Sequence, residues 1–72
     1  MNAREAQAWV RDKLDTLELP YRRVTGRTVS FQDLGRDKAV FVEVDGWKPN
    51  TVAGELSGEA RRLGFFLSFH CN

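Results

Sequence analysis

Two adjacent residues near the end of the sequence, His70 and Cys71, carry the side chains best suited to metal binding or nucleophilic chemistry. Consecutive side chains on a strand point to opposite faces, so this pair can neither chelate one ion well nor act as a thiol–imidazole pair. A zinc site needs about four ligands at defined spacing, whereas the sequence has a single histidine and a single cysteine. We therefore predict no metal site and no cofactor.

Glu55 and Glu59 form the other candidate pair, because residues four apart share one face of a helix. Paired glutamates on a helix are usually solvated, and no other reactive residue converges on them. The sequence also lacks the G-x-G-x-x-G, Walker and G-x-S-x-G motifs. These patterns predict that the protein is not an enzyme.

Aromatic and basic residues are the stronger signal, and they indicate binding. Segment 21–38 has five basic and two acidic residues, a net charge of +3, while the segments before and after it each carry −1. This is a mild basic patch and not a basic tail. The candidate binding residues are Phe41, Phe66, His70, Trp47, Arg22, Arg23, Arg27, Arg36 and Lys38.

The elements that must position these residues are organised around segment 28–44, which predicts a β-hairpin. In its second arm, three valines at alternate positions predict a buried side, and Phe41 and Glu43 fall on the opposite side. The first arm is predicted to contribute Val29 and Phe31 to the same core. The connecting turn is predicted at Leu34, Gly35, Arg36 and Asp37.

An amphipathic helix is predicted from Ala3 to Glu18 and is ended by Pro20, because the residue before a proline avoids the helical region. Asn2 and Glu5 have the spacing of a capping box. Apolar residues recur at steps of three and four, as on one face of a helix. The predicted buried stripe is Ala3, Ala6, Val10, Leu14 and Leu17.

Residues 21–25 alternate as a short strand would, and we leave open whether they add an extra edge strand to the sheet. In this interpretation Tyr21, Arg23 and Thr25 share one face. Gly26 then forms a tight turn into the hairpin.

Trp47 lies in a predicted loop, residues 45–50, whose Asp-Gly and Pro-Asn pairs are turn signals. It is either a lid that closes the end of the core, with its indole N–H bonded to a nearby carbonyl, or an exposed anchor for a ligand or partner. We favour the lid.

A second helix is predicted to begin at Thr51, with Asn50 or Thr51 as its cap, and to end at Leu63. Gly54 and Gly58 lie inside it on one face. Either the helix tolerates them, at about 1 kcal/mol each relative to alanine, or they let another backbone approach closely, within the fold or across a dimer. We favour the first reading. The predicted stripe is Val52, Leu56, Ala60 and Leu63.

Residues 65–71 predict a third strand with Phe65, Leu67, Phe69 and Cys71 on its inner side. A strand, helix, strand sequence within one sheet requires a right-handed crossover, so this strand is predicted to run parallel to the second strand. It could lie beside either strand of the hairpin, and we favour the second, whose valine-rich composition suits a central position. The predicted fold is a single α+β domain, a two-layer sandwich with the order α-β-β-α-β. Its three-stranded mixed sheet carries both helices on one face and exposes the other.

The exposed face is predicted to present Phe41 and Phe66 as an apolar patch. Either a loop and side-chain stems cover this patch, or it is a contact surface. We interpret the chain as a small non-catalytic protein-interaction module (adaptor, inhibitor or subunit) that binds through the sheet face and the Trp47 loop. The small core also favours a homodimer.

The alternative function is a single-stranded nucleic-acid-binding module, in which the phenylalanines stack on bases and the arginines meet phosphates. A net charge of +1 weighs against strong affinity for a polyanion. The single cysteine excludes an internal disulfide and favours a reducing compartment. No apolar run approaches the ~20 residues that cross a bilayer, and no secretory signal is recognisable, so we expect a cytoplasmic protein without membrane contact.

Overall fold

The computed structural model confirms the predicted two-layer α+β fold, with both helices on one face of the sheet. It describes residues 1–31 and 35–71, and within 27–37 it describes strand backbone but no side chain. The predicted core side chains Val29 and Phe31 and the predicted turn residue Leu34 lie outside the described residues. The elements are α1 (Ala3–Thr16), β1 (Tyr21–Phe31), β2 (Gly35–Val44), α2 (Asn50–Leu63) and β3 (Phe65–Cys71).

The start of α1 is the predicted capping box. The backbone N–H of Glu5 donates to the side-chain oxygen of Asn2 at 2.8 Å, and the N–H of Asn2 donates to the Glu5 carboxylate at 3.1 Å. Each side chain thus satisfies a backbone donor that the helix itself leaves unpaired.

Helix α1 ends before the predicted Glu18, because the chain leaves the helical conformation before it reaches Pro20. Glu18 adopts a left-handed backbone conformation, with φ of 57°. Its N–H donates to the carbonyl of Asp15, and the N–H of Leu19 donates to that of Leu14. This is a Schellman motif built on a residue other than glycine. Leu17 is therefore the C-cap and is half exposed, so its predicted place in the buried stripe is wrong.

Residues 21–25 are not an extra strand but the first half of β1, which runs unbroken to Phe31. The predicted turn at Gly26 is absent. A β-bulge interrupts the register, because Tyr21 pairs with Val44 while Arg23 pairs with Glu43, which leaves Arg22 as the inserted residue. The bulge turns Tyr21 towards the core and Arg23 away from it, so the predicted shared face is wrong.

Gly26 is explained by the close approach of α1. A Cβ atom at this position would lie 2.6 Å from the side-chain nitrogen of Gln7 and 2.9 Å from its Cγ. Beside it, the Arg11 guanidinium donates to the carbonyl of Val24 at 3.2 Å and reaches the Gln7 side-chain oxygen at 3.4 Å. The glycine therefore allows the helix to lie against the strand.

The sheet order is β1-β2-β3, with β1 antiparallel and β3 parallel to the central β2, as predicted. The predicted turn is wrong for three of its four residues. Residues 35–37 belong to β2 and pair with residues 29–31 of β1, and Leu34 lies outside the described residues. The predicted turn failed because glycine and aspartate also occur at strand ends.

The core lies between the helices and the inner side of the sheet. The three valines of β2 form its centre and are at most 1% exposed, as their alternation predicted. Phe65 adds an edge-to-face contact with Trp9, the two ring centroids being 5.7 Å apart. Leu67 and Phe69 are partly buried and pack against this core, but Cys71 is exposed. The remaining buried members are Ala6, Val10, Leu14, Val24, Leu56 and Ala60.

Helix α2 begins one residue earlier than predicted, with Pro49 at the N-cap and no side-chain cap from Asn50 or Thr51. It ends as predicted, because Gly64 takes the left-handed conformation with φ of 97°. Leu63 is 41% exposed, so its predicted place in the buried stripe is wrong. Leu63 lies one turn beyond Ala60, where the chain turns into β3, and its side chain no longer faces the sheet.

Gly54 and Gly58 of α2 face open space. A Cβ atom at either position would meet nothing within 4 Å. A close backbone approach within the chain is thus excluded for the described residues. Both helices have 14 residues, and neither described helix is long and apolar enough to cross a membrane.

Candidate interaction surface

The face of the sheet opposite the helices is the candidate site, and we call it the outer face. The strand register arranges its residues in rows that cross all three strands, because paired residues in adjacent strands point to the same side. The rows are Arg23–Glu43–His70 and Thr25–Phe41–Ser68, and Ala39 and Phe66 form a further pair across β2 and β3. Candidate residues from distant parts of the sequence therefore meet on one surface, although the Arg27 side chain lies outside the described residues.

The first row contains an ion pair. The Arg23 guanidinium donates to the Glu43 carboxylate at 2.8 Å, and the two side chains are 66% and 35% exposed. A pair this exposed contributes about 0–1 kcal/mol to stability, so its main effect is on the charge of the surface. It neutralises the arginine that the sequence suggested as a phosphate contact.

An aromatic contact joins the first two rows. The rings of Phe41 and His70 have centroids 5.9 Å apart and planes tilted by 33°. The distance between the Oγ of Ser68 and the ring Nε2 of His70 is 3.3 Å. Phe41 is partly buried and His70 is exposed, so the imidazole covers part of the phenylalanine and leaves its own outer side open to solvent.

Phe66 is exposed at 46% on the outer face, more than the partly buried Phe41. The Arg61 guanidinium, at the end of α2, lies 5.8 Å from the centre of its ring. A cation at this distance interacts with the ring face and is worth about 0.5–1 kcal/mol at an exposed site. The contact does not bury the ring, and Phe66 remains available to a larger apolar surface.

The outer face has a shallow depression of about 330 Å³. Its wall consists of the Arg23–Glu43 pair, the Phe41–His70 pair and Thr25. Ligand pockets usually enclose most of their ligand, and a depression across an open sheet does not. The geometry favours contact with another surface over enclosure of a small molecule.

Trp47 lies away from the outer face, at the end of the sheet on the core side. Its indole N–H donates to the carbonyl of Pro20 at 2.5 Å, and its ring meets that of Phe69 with centroids 6.2 Å apart. These two contacts are those of the predicted lid. The structure therefore does not bring Trp47 together with Phe41 and His70.

The remaining basic candidates do not form one patch with the aromatic residues. Arg22 is exposed at the β-bulge, whereas Lys38 is half-buried and donates to the carbonyl of Met1, at the start of the chain. Lys38 shares the side of β2 that carries the valines, which face the helices. The side chains of Arg27 and Arg36 lie outside the described residues.

The residues considered for chemistry stay apart. His70 lies on the outer face, and the neighbouring Cys71 is an exposed free thiol. Glu55 and Glu59 are exposed, and Glu59 pairs with Lys13 of α1 at 3.5 Å. Within residues 1–31 and 35–71, no group of three histidine, cysteine, aspartate or glutamate side chains is placed to hold a metal ion.

Several residues of this surface escaped the sequence analysis. Glu43 was assigned to the correct face, but its pairing with Arg23 was missed because Gly26 was interpreted as a turn that ended the strand. The contact between Arg61 and Phe66, on either side of Gly64, is not indicated by any residue spacing in the sequence. A continuous β1 opposite β2 would have revealed the first pair.

Comparisons with known proteins do not assign a function to this surface. No family model matches the chain. Searches of curated proteins and of solved structures likewise return nothing significantly similar.

Proposed function

We propose that this chain is a small non-catalytic protein-interaction module that docks a protein partner on its outer face. The observation that carries the proposal is the 46% exposure of Phe66 on the same side of the sheet as the Phe41–His70 pair. Large aromatic side chains that stay exposed on a flat surface are the usual anchors of protein interfaces. Trp47 supports the fold in this proposal and does not contact the partner.

The charge distribution supports a protein partner over a nucleic acid. Arg23 is held by Glu43, so the first row presents a neutral pair at the rim of the aromatic residues. Protein interfaces commonly combine an apolar centre with such a polar rim. A backbone of phosphates would instead need several uncompensated cations beside the rings.

A second candidate function, binding of single-stranded nucleic acid, is favoured by one observation. Phe41 and Phe66 lie on the same face of neighbouring strands, as the stacking rings of single-strand readers do. Arg22 and Arg61 are exposed and would have to supply the phosphate contacts. We rank this function second because Glu43 stands in the same surface.

The test compares two apolar residues of similar exposure. Phe66 is 46% exposed on the outer face, and Leu63 is 41% exposed on α2. Partners captured by the wild-type chain are identified, and their affinity is then measured by calorimetry for wild type, Phe66→Ala and Leu63→Ala. Phe66→Ala should weaken binding at least about tenfold, and Leu63→Ala less than about threefold.

Two results would overturn the proposal. One is a partner whose affinity is equally unaffected by both substitutions. The other is binding of mixed single-stranded oligonucleotides that weakens steeply between about 50 and 200 mM salt, which would establish the second candidate instead. A cytoplasmic location accompanies the proposal on the basis of the lone cysteine, and expression of a tagged chain in its host tests it.

A further inference from the structure

The two edges of the sheet differ in a way that points to self-association. The edge strand β1 carries three arginines and no acidic residue. The other edge strand, β3, contains no aspartate, glutamate, lysine or arginine, and no proline or glycine. Charges and prolines are the usual protection of an edge against pairing with another strand. Two copies of β1 would also repel each other, and two copies of β3 would not.

We propose that β3 pairs with β3 of a second copy of this chain across a two-fold axis. The pairing is antiparallel, as a two-fold axis perpendicular to the sheet requires, and it keeps all four helices on one side of a continuous six-stranded sheet. Centring the axis on Ser68 places each of the seven strand residues opposite a residue of the other copy. Registers centred elsewhere pair fewer residues.

This register gives favourable side-chain neighbours on both sides of the sheet. On the outer face, Phe66 of each copy lies opposite His70 of the other, so the exposed ring gains an aromatic neighbour. On the inner side, Leu67 lies opposite Phe69 of the other copy, and both are partly buried residues that already pack against the core. The two cores become continuous across the axis.

The flank of α2 above this edge is shaped for a second copy. Ser57 donates its hydroxyl to the carbonyl of Leu67 at 3.4 Å, and Arg61 lies over Phe66, so this flank of the helix lies over β3. Gly54 is one turn from Ser57 and Gly58 is one turn from Arg61, and among the described residues no atom beyond the helix's own backbone lies within 4 Å of a Cβ built at either position. The equivalent helices of two copies can therefore approach closely above the joined strands.

The area required for a stable dimer explains why both features are needed. A stable interface buries about 800 Å² on each partner, roughly a sixth of the 5064 Å² exposed by this chain. A strand edge makes contact along one line of backbone. The flank of α2 extends the contact into a second layer, which accounts for two glycines that no contact among the described residues requires.

The first test places a cysteine at the axis, because Ser68 would lie opposite Ser68 of the second copy. Paired residues in an antiparallel ladder have Cα atoms about 4.5–5.5 Å apart, within the range of a disulfide. Ser68→Cys, made with Cys71→Ser, should form a linked dimer on mild oxidation. Thr25→Cys in the same background is the matched control, since Thr25 is in the same row at the opposite edge and should stay monomeric.

A charge-swap experiment provides the second test. Ser68→Lys and Ser68→Glu should each leave a folded monomer, because like charges meet at the axis, and their equimolar mixture should form a dimer. Sedimentation measures the mass against the 8.2 kDa of one chain. A wild-type chain that stays monomeric at about 1 mM, or crosslinking of the Thr25 variant as fast as the Ser68 variant, would overturn the dimer. The crosslinking reports on the second copy alone, so its outcome is separate from that of the partner binding proposed above.

Discussion

The backbone N–H of Leu19 donates to the carbonyl of Leu14 at 2.9 Å, and this bond closes the end of α1. It forms because Glu18, between them, turns into the left-handed region with φ of 57°. A side chain with a Cβ atom pays roughly 1–2 kcal/mol to occupy that region, and glycine does not. The Schellman motif is therefore strained at Glu18, and glycine at this position would remove the strain.

Glu18→Gly should stabilise the protein by about 1 kcal/mol, because the Cβ strain is removed and the two hydrogen bonds are kept. For a domain of this size that corresponds to a rise in Tm of about 4–8 °C, measured by circular dichroism. Glu18→Ala is the control, since it also removes the carboxylate near the helix C-terminus but keeps a Cβ atom. Equal gains for both variants would assign the effect to charge and contradict the strain.

Gly26→Ala should destabilise the chain through Gln7 of α1. The new Cβ would lie 2.6 Å from the Gln7 nitrogen and 2.9 Å from its Cγ, so the side chain must move and lose its contact with Arg11. We expect a loss of about 1–2 kcal/mol in the free energy of unfolding, measured with denaturant.

The double variant tests the same contact directly. In a Gln7→Ala background the obstacle is gone, and Gly26→Ala should become neutral or stabilising because alanine restricts the unfolded chain more than glycine. The coupling between the two positions should be about 1 kcal/mol or more. Additive effects would mean that the glycine has another role.

Gly54→Ala and Gly58→Ala should each stabilise the monomer by about 1 kcal/mol, because alanine is the better helix former and its methyl group meets none of the residues that the structure describes. The measurement is denaturant unfolding at low protein concentration, where chains are dissociated. Gly64→Ala is the contrasting variant, since φ of 97° makes any side chain unfavourable there. A loss of stability in the two helix variants would contradict the open space around both glycines.

The parts of the fold that the sequence predicted well rest on strong local or topological constraints. Asn2 and Glu5 predicted the start of α1 because capping is decided within one turn of helix. The three valines of β2 predicted the buried side because alternation is fixed by strand geometry. The parallel pairing of β3 followed from the handedness of the crossover, which holds for nearly all such connections.

The errors share a physical cause, which is that one residue type serves several backbone roles. Gly26 satisfies both a turn and a close helix contact, and the choice depends on where α1 lies. Glu18 is an uncommon residue in the left-handed region, so nothing in its identity indicated the helix end. The outer-face rows could not be predicted from composition, because register is set by pairing, and residues 35–37, predicted as part of the turn, pair with residues 29–31.

The bulge also has a consequence for the length of the chain. Tyr21 and Arg23 already have partners in Val44 and Glu43, and Arg22 has none. Its deletion would leave a regular ladder in which every remaining side chain keeps its side of the sheet. Arg22 is thus not needed for strand pairing. A shorter chain that lacks Arg22 would have a regular ladder at the start of β1 and would keep both the tyrosine and the ion pair in place.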